Sequence, residues 1–249
     1  RLVADYVRHL GGDPSWYRGA VPAHLFPQWG FPLLARTLRA IPYDLRKVLN
    51  GGCRIELHRP LPANEPLALE ACLETIDDNG SRAVIQNHLV TGTRSAPHAV
   101  DAWMYAVVPL KRGDGKKERP TVPLDARELG WWSISAADAV DFAVLTGDFN
   151  PVHWLRPYAR AAGFRRTILH GFATLGRAIE ALNRNRFAGD VSRLAVIDVK
   201  FVRPVLLPAD VGLYLVPSAS GPAGGSLYVG AGPGAPAVLT GTFEERTDG

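Results

Sequence analysis

Asp148 and His153 stand five positions apart in the stretch Leu145-Thr146-Gly147-Asp148-Phe149-Asn150-Pro151-Val152-His153. A carboxylate and an imidazole so placed are the raw material of general acid–base chemistry. Gly147 and Pro151 punctuate the stretch, so it reads as a tight loop and not as helix. Eighteen residues after His153, Gly171 opens an amphipathic run with Phe172, Leu175, Ile179 and Leu182 at helical spacing. The first N–H groups of a helix have no acceptor within it and sit at the positive end of the dipole. Gly171 can thus offer a bare backbone donor where negative charge develops, as an oxyanion hole requires. Glycine there also has a purely structural reading, close packing of helix on sheet. His170 divides evenly between orienting the loop and being a satisfied core histidine. Asn150, between the acid and the imidazole, is a turn former.

Several elements must position these groups. Ser135 and Asp138 form an N-terminal capping signal for a short helix over 136–145, and a second short helix is expected over 158–162, closed by Gly163. Strands are expected at 194–202, 211–216, 226–230 and 237–243, with turns at 221–225 and 230–236. The first half follows a similar plan. A helix is expected over 2–10, then a Pro-rich irregular segment over 19–30. A longer helix over 31–49, with a break at Pro42, ends at Asn50-Gly51-Gly52. Strands follow at 54–59, 67–76, 81–91 and 99–108, with Asp77-Asp78-Asn79-Gly80 as a hairpin turn. Trp29-Gly30-Phe31 aligns with His170-Gly171-Phe172 at a shift of 141, and Arg59-Pro60 echoes Arg203-Pro204. Such repetition indicates two copies of one unit. We expect an N-terminal unit over 1–112, a charged Gly/Pro linker over 113–123 and a C-terminal unit over 124–249. The first unit lacks the acid–imidazole loop and carries Trp29 where the second has His170, so it is expected to wall a pocket and not to react.

The sequence over 147–153, followed by His170-Gly171-Phe172, resembles the MaoC-like, R-specific enoyl-thioester hydratases and dehydratases of the hot-dog superfamily. Asp, Asn, Pro and His stand in that family's order and spacing, and the close match covers roughly 145–179. The resemblance implies an α+β tandem double hot-dog, each unit an antiparallel sheet wrapped around a long helix. It implies reversible hydration of trans-2-enoyl thioesters to (R)-3-hydroxyacyl thioesters in fatty-acid metabolism. In that family Asp148 and His153 would hold one water and share the proton transfers, Gly171 would stabilise the enolate, and Asn150 would orient the loop. Coenzyme A or an acyl carrier protein would enter as part of the substrate, with no other cofactor. A homodimer of the whole chain is compatible with the family, although one fused chain already supplies the pairing of units.

Phe149, Trp154, Arg156 and Phe172 are the candidates for substrate contact. The aromatic residues around the loop, including Trp131, Trp132 and Tyr158, fit a channel lining and a packed core alike. Arg156, Arg165 and Arg166 suit coenzyme phosphates or a solvated basic face. The 249 residues carry a net charge of +4, mild basicity that suits an anionic partner or an ordinary basic surface. Its dispersal argues against nucleic acid. No apolar run reaches the ~18 residues of a membrane span. Cys53 and Cys72 read as buried, reduced thiols on strands, which favours a reducing, cytoplasmic location. His9, His24, His58, His88 and His98 show no ligand spacing, so no metal is expected. The sequence starts at Arg1, not Met, and no signal peptide is visible in it. Two rivals remain: a hot-dog acyl thioesterase, and a non-catalytic acyl-thioester binding subunit, in which Asp148 and His153 would not converge.

Overall fold

A computed structural model describes residues 1–39, 41–44, 48–111, 119–218 and 223–246. The first half contains α1 (Leu2–His9), β1 (Ala20–Val21), α2 (Pro27–Thr37), β2 (Leu49–Leu57), β3 (Leu61–Pro62), β4 (Ala68–Asp78), β5 (Arg82–Gly92) and β6 (Val100–Pro109). The second contains β7 (Arg127–Ile134), α3 (Ala136–Thr146), α4 (Arg156–Ala161), α5 (Gly171–Asn185), β8 (Leu194–Phe201), β9 (Ala209–Pro217), β10 (Gly224–Gly230) and β11 (Ala237–Glu245). Nine strands form one antiparallel sheet in the order β4-β5-β6-β2-β8-β11-β10-β9-β7. Strands of the first half occupy one side and those of the second the other. The halves meet where β2 pairs β8, from Gly52 opposite Lys200 to Glu56 opposite Val196. With a central helix against each half, this is the tandem double hot-dog.

Period-2 alternation accounts for the strands. β5 buries Ala83, Ile85, Asn87, Leu89 and Thr91 and turns the intervening residues outward. The apolar face of α5 and part of α2 share one buried cluster, in which Phe26 and Leu34 join Phe172, Leu175, Ile179 and Leu182. α5 is enclosed almost all round, because the first residues of the chain cover its outer face. There the Tyr17 hydroxyl donates to Glu180 at 2.6 Å, and a Cβ at Gly176 would lie 2.6 Å from Leu10.

The structure corrects several expectations. The longer first-half helix runs over Pro27–Thr37 and not over 31–49, and the first strand begins at Leu49. Asn50-Gly51-Gly52 is not a helix terminus but the bulged start of β2. Ile41 lies beyond the helix and packs beside Leu38, Ala83 and Ile85. β7 was not foreseen from the sequence; its bulge between Glu128 and Gly130 breaks the alternation that would announce it. Cys53 is buried, but Cys72 is exposed, because β4 is the outermost strand and faces solvent along most of its length. Most of the expected linker, 113–118, lies outside the described residues, as do Gly221 and Pro222. At its far end Thr121 bridges Pro236 and Val122 is buried, so that portion is fixed to the second half.

Gly52 is critical at the seam. Its φ is +141°, and a Cβ there would lie 2.0 Å from the Val199 carbonyl oxygen. A Gly52→Ala variant is expected to lose ~1–3 kcal/mol of stability through backbone strain and displacement of β8. A urea titration read by circular dichroism checks this, and an unshifted midpoint would refute it.

Candidate active site

The acid–imidazole loop is built by a succession of local caps. At the start of α3 the Ser135 N–H donates to the Asp138 carboxylate at 2.9 Å. α3 ends at Gly147, whose φ of 80° is the left-handed conformation glycine adopts without strain. The reversed chain presents Asp148, whose Oδ1 accepts from the Asn150 N–H at 3.3 Å. Asn150 Oδ1 in turn accepts from the Val152 N–H at 3.2 Å and caps the single 3-10 turn Pro151–His153. That turn carries His153 inward, where it is buried.

His153 Nδ1 lies 2.8 Å from the Ile168 carbonyl oxygen. A carbonyl can only accept, so Nδ1 carries the proton and Nε2 keeps its lone pair. His170 Nε2 lies 3.0 Å from the backbone oxygen of Asp148 and is likewise the donor. The rings of His153 and His170 stack with centroids 3.5 Å apart and planes inclined by 24°. An Asp148 carboxylate oxygen and one nitrogen of each ring lie within 4.8 Å of one another. The sequence-predicted acid and imidazole are therefore brought together, with His170 as a third member stacked on the second. His170 is also the N-cap of α5 and Gly171 its first residue, so the helix starts at the cluster.

Burial lowers the His153 pKa, opposed by the hydrogen bond to Ile168 and the Asp148 charge. It lowers that of His170 further, to about 4, aided by the neighbouring His153. His170 Nδ1 is buried and has no hydrogen-bond partner among the described residues, so a second ring proton would go unsatisfied. Both imidazoles are neutral at pH 7. The unfolded chain takes up these protons first as pH falls, so stability is full above 6.5 and declines towards 4. The stacked pair accounts for on the order of 3 kcal/mol of that loss. Denaturation midpoints above pH 6.5 and near pH 4 test this, and His170→Asn should flatten the dependence; an equally steep decline in that variant would exclude His170 as the cause.

A Cβ on Gly171 would lie 2.8 Å from the Phe201 ring, and one on Gly30 2.5 Å from Leu89. Helix–sheet packing thus requires both glycines, whatever the Gly171 N–H does besides. Phe172, a candidate for substrate contact, is 3% exposed and belongs to the core. It packs against Phe26 and Phe31 of the first half and Phe201 of β8. Phe149, Trp154 and Tyr158 are exposed beside the loop, and the Trp154 indole donates to the Phe149 carbonyl at 3.2 Å. Arg156, Arg165 and Arg166 are also exposed around it. Trp131 and Trp132 lie apart on β7, where Trp131 covers Gly212. In the first half Trp29 donates instead to the Thr91 hydroxyl at 3.2 Å. A cavity of about 1020 Å³ between the halves is lined by Tyr17, His24, Ile55, Ile179 and Asn183 but not by Asp148 or His153.

Sequence reasoning missed the Ile168 carbonyl that fixes the His153 tautomer, although Ile168 lies two residues before His170. It also missed the convergence of His58, His88 and His98; His98 is three residues from Asp101, but His58 and His88 reach it only through the pairing of β2 and β5 with β6.

The family model for the MaoC like domain matches residues 116–221. Peroxisomal multifunctional enzyme type 2 of Mus musculus is 27% identical over 206 residues, covering 76% of this chain and 28% of that protein. Peroxisomal enoyl-CoA hydratase 2 of Arabidopsis thaliana is 28% identical over 187 residues, covering 68% of this chain and 59% of that protein. The chain therefore spans less than two thirds of the length of each of these relatives. The crystal structure of HtdX from Mycobacterium tuberculosis superposes with a TM-score of 0.75 at 22% identity, covering 98% of this chain and 94% of that one, and shares the fold. Residues 116–221 are thus similar to the MaoC like domain, and it is this stretch that holds Asp148, His153, His170 and Gly171.

Proposed function

We propose that the protein reversibly hydrates trans-2-enoyl thioesters to (R)-3-hydroxyacyl thioesters. The observation that carries this reading is the convergence of Asp148 and a neutral, tautomer-fixed His153 at the N-terminus of α5. One water would supply both added groups: its hydroxyl bonds to C3, and its proton passes through the Asp148–His153 pair to C2. As the C2–C3 double bond opens, charge moves onto the thioester oxygen, and the Gly171 N–H at the start of α5 would donate to it. Asn150 acts through the loop it caps. In dehydration the same groups run in reverse. Coenzyme A or acyl carrier protein would carry the acyl group, with the exposed arginines and aromatics beside the loop available to it. The unpaired Cys53 and Cys72 support a reducing compartment such as the cytoplasm. Among the described residues no helix is long and apolar enough to cross a membrane.

The test follows the enoyl-thioester ultraviolet absorbance of crotonyl-coenzyme A, longer 2-enoyl-coenzyme A esters and an enoyl-acyl carrier protein. Loss of the chromophore without release of free thiol is the expected result. Release of thiol would instead indicate a thioesterase, and no reaction with either carrier a binding subunit.

A further inference from the structure

Three histidines, two of them distant from it in sequence, converge on one carboxylate in the first half, outside the acid–imidazole loop. Asp101, on β6, is itself buried. His58 Nε2 lies 2.7 Å and His98 Nε2 2.5 Å from its Oδ2, and His88 Nε2 lies 2.7 Å from its Oδ1. The fold places each of the three. His58 directly follows β2, with its N–H bonded to the Ala99 carbonyl at 2.9 Å. His88 stacks flat on Trp103, with centroids 4.4 Å apart and planes at 2°. His98 has a φ of 54°, a conformation that costs a non-glycine residue energy and here aims its ring at the carboxylate. The His58 and His98 rings meet edge to face at 5.1 Å.

We infer that His58, His98 and Asp101 form a binding site for a divalent transition-metal ion of the zinc class. Their ligand atoms all lie within 4.8 Å of one another. Two imidazoles and a carboxylate suit zinc, nickel or cobalt better than magnesium or calcium, which prefer all-oxygen shells. A three-residue set leaves a coordination position for water. The His58 and His98 side chains are 40% and 60% exposed, so an ion can enter from solvent. His88 takes the other carboxylate oxygen and orients Asp101, as outer-shell partners of metal ligands do. Bound there, the ion ties the end of β2, the β5–β6 turn and β6 together. That is a structural role, separate from the chemistry at Asp148.

Zinc titrated into the tag-free, chelator-stripped full chain tests the inference by calorimetry and by melting temperature. One ion per chain is expected, with a Kd tighter than about 100 µM and a rise in melting temperature. His58→Ala and His98→Asn should each weaken binding by ~100-fold or more and abolish the thermal shift, and His88→Ala by ~10-fold. Asparagine tolerates the left-handed backbone at position 98, so that variant preserves the turn. His153→Ala should bind zinc as the parent does. Weaker binding by the parent, binding unchanged in His58→Ala and His98→Asn, or binding lost in His153→Ala would each overturn the site.

Discussion

Replacing His153 by alanine should lower kcat for the proposed hydration of crotonyl-coenzyme A by ~10²–10⁴-fold, the usual worth of a positioned acid–base group. The Ile168 carbonyl holds the Nδ1–H, so Nε2 is the nitrogen available to a proton, and burial keeps the ring neutral. Asp148→Asn retains the shape of the loop and removes the charge, and a loss of similar size is expected. Groups that move one proton together do not add, so the double variant should be little worse than either single one. KM should change far less than kcat if substrate is held by the rim and not by the pair. Steady-state kinetics on variants with unaltered circular dichroism decide the matter. A His153→Ala enzyme that kept more than about a tenth of the parental rate would remove His153 from the mechanism.

Phe172→Ala is expected to cost ~3–5 kcal/mol, at the upper end for a single core truncation. The side chain is 3% exposed and touches aromatic rings from α2, from the segment before it and from β8. Truncation would open a void shared by both halves. The β2–β8 seam and the common core join both halves, so urea unfolding should shift to lower midpoint as a single transition. Two separated transitions would show that the halves unfold independently and that Phe172 does not join them.

What could be read from the sequence follows the range of the forces involved. Antiparallel strands with one face buried declare themselves by alternation, as β5 and β6 do. The loop at 147–153 declares itself because Gly147 and Pro151 exclude a continuous helix. Failures arose where a residue type serves two purposes. Gly51-Gly52 looks like a helix stop, yet Gly52 is there because the Val199 carbonyl approaches its α-carbon too closely for any side chain. Phe172 lies next to the helix N-terminus in sequence but on its core side in space. The ring stack of His153 on His170, and the gathering of His58, His88 and His98 around Asp101, depend on tertiary placement that no local window contains.

The nine-stranded sheet does not close into a barrel, so it leaves two free borders, β4 and β7. An uncovered border strand is an invitation to polymerise, because its unpaired backbone groups can recruit the same strand of another molecule. β4 also exposes Leu73 and Ile76, which sharpens the hazard. Its composition counters it: Glu70, Glu74, Asp77 and Asp78 are all exposed on that strand. Two molecules docking border to border would have to bring these carboxylates together with no compensating cation on the strand itself. Joining two units in one chain removes two inner borders from exposure, and mutual repulsion guards this outer one against fibre growth.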